Sequence, residues 1–138
     1  MPQRLSTQPF GVQAGGGLSR ATKASAVFSM RASFDPTSST QILLGTLPPR
    51  SRVVDVVSLG GGTGGTSPTV DVGTVATSDG FANELRTDVV RSAVASTTAG
   101  TLIGSLNSAN VDVYGKVGAS AATGGTAVVL VQYTLEEG

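Results

Sequence analysis

The chain contains no cysteine, no histidine and no tryptophan. Without cysteine there is neither a disulfide framework nor a thiolate metal site. Without histidine it lacks the side chain most used for proton transfer near neutral pH and the commonest transition-metal ligand, and the strongest ordinary nucleophile is missing with cysteine. Charge is scarce as well. Charged residues make up 13% of the chain, about half the share usual in a soluble protein. Nine basic residues balance nine acidic ones, with no basic run of the kind that neutralises phosphates, so nucleic-acid binding is not expected. No segment approaches the ~18 continuous apolar residues of a membrane helix. Met1-Pro2-Gln3-Arg4 leads into a polar, Gly-rich stretch instead of a signal-peptide core, which predicts a soluble protein made in the cytoplasm.

The 138 residues suit one domain, able to bury roughly two-thirds of the surface of its unfolded chain. With 39% apolar residues, the surface must be covered largely by Ser, Thr, Asn, Gln and Gly. The apolar set is mainly Val, Ala and Leu, with four Phe and two Tyr. Such small side chains predict a thin core and stability drawn partly from association.

Residues 1–20 include Gln8-Pro9-Phe10-Gly11 and Gly15-Gly16-Gly17, a composition that cannot offset the entropy of a regular element by itself. This segment reads as an extended N-terminal arm, and residues 21–138 as the folded domain. From Lys23 to Phe34 the pattern is period two, with Ala24, Ala26, Phe28, Met30, Ala32 and Phe34 on the core side of a strand. Further strands are expected at Gln41 to Leu47, ended by Pro48-Pro49; at Ser51 to Leu59, rich in Val; and at Thr69 to Ala76, with a bulge at Gly73. Others follow at Val89 to Ser96, Thr101 to Leu106, Asn110 to Val117 and Thr126 to Leu135. Phe81 to Leu85 reads as a helical turn capped by Ser78 or Asp79. About eight strands with turn signals between them predict an all-β sandwich or barrel.

Few groups remain for chemistry. Gly60 to Ser67 is Gly-rich but lacks the Lys-Ser/Thr ending and following helix of a phosphate loop, so it reads as a flexible connection. Asp71, Asp79 and Glu84 form the densest acidic group; their spacing does not match a calcium loop, and solvent exposure and capping account for them. Paired carboxylates for glycoside hydrolysis would lack aromatic platforms in a chain with 4% aromatics. Lys23 and Lys116 sit in no Ser-x-x-Lys motif and read as solvated strand lysines. The final Glu136-Glu137 reads as a charged stop that solvates a strand edge and discourages edge pairing. No catalytic residue, metal, cofactor or small-molecule substrate is expected.

Leu47-Pro48-Pro49-Arg50-Ser51-Arg52-Val53-Val54-Asp55-Val56, then Thr69-Val70-Asp71-Val72-Gly73-Thr74 and Asp79-Gly80-Phe81, together with the polar arm and the valine-rich last strand, resemble small structural proteins of tailed bacteriophages. The nearest group is the head-decoration, or capsid cement, class, and the resemblance is carried by residues 41–85 and the overall layout. It implies a jelly-roll-like antiparallel β-sandwich. It also implies a homotrimer that binds the major capsid protein on the outer face of the virion and braces junctions between coat subunits. On that reading Arg4, Phe10 and Arg20 are the arm residues expected to contact the partner. A rival reading is a tail-fibre or lectin-like glycan-binding module, for which the loops would offer Phe81 and Tyr114 as stacking aromatics.

Overall fold

The computed structural model describes residues 26–38, 40–89, 92–93, 99–118 and 120–136. Arg4, Phe10, Arg20 and Lys23 lie outside the described residues. Among those described there are nine strands and no helix: β1 Phe28–Phe34, β2 Ile42–Leu47, β3 Ser51–Thr63, β4 Thr69–Gly73, β5 Ala82–Arg86, β6 Ser92–Ala93, β7 Leu106–Asn107, β8 Val111–Val117 and β9 Gly124–Leu135. They form two sheets. One runs β1-β9-β3-β6, with β7 also paired to β3; the other runs β2-β8-β4-β5. Every pairing is antiparallel. The pairs β1·β9, β2·β8, β3·β6 and β4·β5 nest inside one another in sequence, and β9·β3 and β8·β4 join them within each sheet. That is the winding of a jelly roll.

Period-two patterning places the core. Ala32 and Phe34 of β1, Val113 and Val117 of β8, and Ala127, Val129 and Val131 of β9 are buried, while Arg31, Ser33, Asp112 and Lys116 between them are exposed. Val53 and Val56 of β3 meet Val70 and Val72 of β4 in the same cluster, with Leu47, Phe81 and Leu85 as its larger members. The predicted thin aliphatic layer is therefore what fills the space between the sheets. Phe28 shares the inward face of β1 but lies past the end of this layer, so it is exposed and stacks on Tyr133, ring centroids 5.7 Å apart.

Several expectations need correction. The Gly-rich segment is not a flexible loop throughout, because β3 continues through Gly60, Gly61 and Gly62 to Thr63 and pairs with Gly124 and Gly125 of β9. Glycine is required here for close approach. Gly61 has a φ of 101°, and a Cβ on it would fall onto the Thr126 carbonyl oxygen. Gly62 N–H donates to Thr87 O at 2.8 Å, and its missing side chain makes room for Thr87.

Phe81 to Leu85 is not a helical turn. Phe81 N–H donates to Val72 O at 2.8 Å, and the chain enters β5 beside β4. Burying Phe81 between the sheets overrides the capping signal of Ser78 and Asp79, and Thr74 to Gly80 forms turns closed on Thr77. The irregularity expected at Gly73 falls between Val70 and Val72, and β4 stops at Gly73, where Thr77 O and Gly80 N leave no room for a side chain. Of Val89 to Ser96, Ser92–Ala93 forms a strand, and Val90, Arg91 and 94–96 lie outside the described residues; Thr101 to Gly104 is a turn before β7. The acidic tail does not stop an edge either, since β9 lies between β1 and β3.

Gly61 and Gly104 both have positive φ, but nothing lies within 4 Å of where a Gly104 Cβ would stand. Gly104→Ala should cost about 1–2 kcal/mol from left-handed backbone strain alone. Gly61→Ala should cost a further ~1–3 kcal/mol for the overlap with β9. Urea midpoints compare the two, and equal midpoints would contradict the close pairing of the glycine segments.

Candidate functional site

The acidic group singled out from sequence does assemble around β4 and β5, and it has a structural task. Asp71 lies on the outer side of β4, and its Oδ1 accepts the Glu84 N–H at 2.9 Å. Glu84 has a φ of 57°, so the carboxylate pins an irregular, left-handed position in β5. Burial raises the Asp71 pKa above the ordinary carboxylate value. The Glu84 N–H opposes that rise, Asp79 and Glu84 reinforce it by like charge, and Lys116 lowers it. Among the described residues no group of three or more acidic side chains is placed to hold a metal ion.

Other charges are also bonded within the domain. Arg86 forms a forked pair with Asp88 at 2.8 and 2.9 Å. Arg52 pairs with Glu136 at 3.1 Å and donates to Gly104 O, while Arg50 exchanges backbone bonds with Glu136 and Asn107. Glu136 therefore fastens the end of β9 to the start of β3, and Arg50 ties that start to β7.

What the outside of the sandwich offers is apolar surface. Pairing places Arg31, Leu130 and Ala93 in one row across the outer face of the first sheet, with Val57 of the same row fully buried, and Thr134, Arg52 and Leu106 in another. Two register shifts in β3 against β9 leave Val54 and Leu59 as extra residues, both exposed. Leu106 is 48% exposed on the same face. Val27, Phe28 and Leu135 are exposed at the end of the sandwich where the chain enters β1 and leaves β9. Any arm formed by the preceding residues is attached at that end.

Sequence reasoning missed this outer face. Its signal was the doublets Val53-Val54 and Val56-Val57, because adjacent apolar residues in a strand place one on each side unless a bulge intervenes. The aromatic residues considered for glycan stacking do not form a platform. Phe81 is in the core, and Tyr114 is half-buried on the outer face of the second sheet beside Leu43.

No protein-family model and no curated protein sequence matches the chain. Solved structures with the same fold include a chain of the cyanophage Pam1 capsid asymmetric unit, with TM-score 0.61 and 18% identity over 99% of this chain and 100% of that one. A chain of the acid-stable capsid of Helicobacter pylori bacteriophage KHP30 gives TM-score 0.59 and 20% identity, over 83% and 91% of the two chains. A chain of the capsid of Ralstonia phage GP4 gives 0.56 and 23%, over 83% and 88%. At these identities the likeness is one of fold.

The Asp71 assignment has a pH signature. Folding raises its pKa, so the folded chain holds the proton more tightly, and the stabilisation present at low pH is lost as pH rises through the folded value. Asp71→Asn keeps an acceptor for Glu84 N–H without the charge. Its melting temperature should match that of the parent at low pH and exceed it as pH rises through the carboxylate range. Asp71→Ala should run about 1 kcal/mol below Asp71→Asn at every pH by orphaning that N–H. Parallel melting curves for all three proteins across pH would contradict the assignment.

Proposed function

We propose that this chain is a non-enzymatic structural component of a bacteriophage virion. It decorates the outer surface of the capsid as a homotrimer, binding the major capsid protein at junctions between coat subunits. The observation that carries this reading is the fold shared with chains of three phage capsids. The Pam1 chain is covered over its whole length by nearly all of this one, so a chain of similar size and fold occurs in a capsid.

The physical character of the domain suits the role. A decorating subunit gains occupancy from many modest contacts repeated over a lattice, because each linked contact raises the effective concentration for the next. The outer apolar residues Val54, Leu59 and Leu106 supply contacts of that kind and support association between copies. The arm supplies reach, with Arg4, Phe10 and Arg20 meeting the coat. Every charge in residues 1–25 is basic, namely Arg4, Arg20 and Lys23, so the arm's contribution weakens with salt.

The test is addition of purified protein to mature heads that lack it and to unassembled coat subunits. Saturable binding to heads alone is expected, with a trimer in sedimentation analysis. Absence of binding to heads overturns the reading. Deleting residues 1–17 should lower occupancy on the order of tenfold or more without changing the melting temperature. Unchanged occupancy rules the arm out as an anchor.

A further inference from the structure

A β-sandwich has four edge strands, each a row of unpaired backbone groups that natural proteins ordinarily blunt. Three of the four are blunted here. In the first sheet, the side of β3 away from β9 carries only β6 and β7, each two residues long. In the second, β2 is broken by a register shift between Leu43 and Gly45 and followed by Pro48-Pro49. The outer side of β5 carries the left-handed Glu84 and is bridged at Ala82 by Ala99.

Strand β1 has none of these devices. Its seven residues pair with β9 without a register shift, and it contains no Pro, Gly or Lys. Its opposite side has no strand among the described residues. On the inward face of this strand Phe28 is 43% exposed and Met30 only partly covered by the core. Arg31 stands on the outward face halfway along and takes part in neither ion pair found among the described residues.

We propose that the free edge of β1 receives an extended segment of the coat protein as an added antiparallel or parallel strand, an inference that rests on the decoration reading. Symmetry argues against a second copy as this occupant, given the trimer of that reading. Pairing of β1 with β1 of a second copy generates a two-fold axis, which does not close a trimer. The other edges, being short, bulged or bridged, present no straight ladder for β1 of a neighbour. Residues 1–25 precede the Phe28 end of this same strand, so an arm reaching the coat and a coat segment on β1 form one continuous contact. The segment recognised is extended, with apolar side chains over Phe28 and Met30 and a carboxylate opposite Arg31.

Hydrogen exchange measured on the free full-length protein, on the protein lacking residues 1–17, and on the protein bound to mature heads tests this. Alternate amides of an edge strand point away from its neighbour, so about half of those in Phe28–Phe34 should exchange rapidly in both free proteins and become protected on heads. Arg31→Glu should lower occupancy on the order of tenfold while Arg31→Lys retains it. Unchanged β1 exchange at saturating occupancy overturns the edge inference and leaves decoration standing. Protection that grows with concentration in the free protein assigns the edge to a second copy. Protection lost on deleting residues 1–17 assigns it to the arm, and either result overturns the proposal. Failure to bind heads removes the decoration reading and this inference together.

Discussion

The double registry of β9 is the constraint on which the rest of the structure depends. This strand is paired on one side with β1 and on the other with β3, and both ladders must point Ala127, Val129 and Val131 into the core. A slip of one residue on either side would turn those three outward and bring Val128 and Leu130 in. The glycine pairs at 61–62 and 124–125 let the two backbones converge where β9 begins, and Glu136 fastens the other end through Arg52. Because β1 precedes β9 by almost the whole domain, the ladder that seals the sandwich is also one of its least local. Folding of such a topology is governed by closing long loops before core contacts reward it.

The same ladder explains why the outer face is apolar. Strand β3 carries 13 residues and must follow β9, β6 and β7 while crossing the sandwich. Extra residues inserted by bulges let it bend and twist to do so. Two of those insertions place Val54 and Leu59 in the open, on the face that already carries Leu130 and Leu106. A surface of that composition has little reason to face water alone, and a partner protein is the natural cover.

Alternation made β1, β8 and β9 legible from residues alone, because Phe28 to Phe34, Val111 to Val117 and Ala127 to Leu135 place apolar and polar groups on opposite faces. Where local preference and long-range packing disagree, packing prevails. Glycine is a poor strand residue in isolation, yet Gly60 to Gly62 are strand, and at Gly61 and Gly62 β9 and Thr87 approach too closely for anything larger. Ser78 and Asp79 are good caps, yet Phe81 is drawn into the core and leaves no helix to cap. Which strands form edges depends on pairings between distant segments, so neither the interior place of β9 nor the edge position of β1 among the described residues was visible. The clustering of Asp71 with Glu84 was visible, but its cause, a backbone amide in a left-handed turn, was not.

The scarcity of charge then takes on a consequence for partner binding. Asp35 accepts two bonds from Thr37, Asp112 accepts one from Thr46, Asp71 holds Glu84 N–H, and Arg52 and Arg86 are paired with Glu136 and Asp88. Much of the domain's small stock of charged groups is thus occupied in fixing turns, bulges and strand ends. Arg31 aside, contacts made by the domain with another protein must draw on apolar side chains, hydroxyls and the backbone of a strand edge, interactions that salt screens little. The first 25 residues, carrying three basic groups and no acidic one, are of the opposite character. Salt dependence therefore separates the two halves of the molecule. On the decoration reading, a capsid complex that survives high salt is held by the sandwich, and one that dissolves is held by the arm.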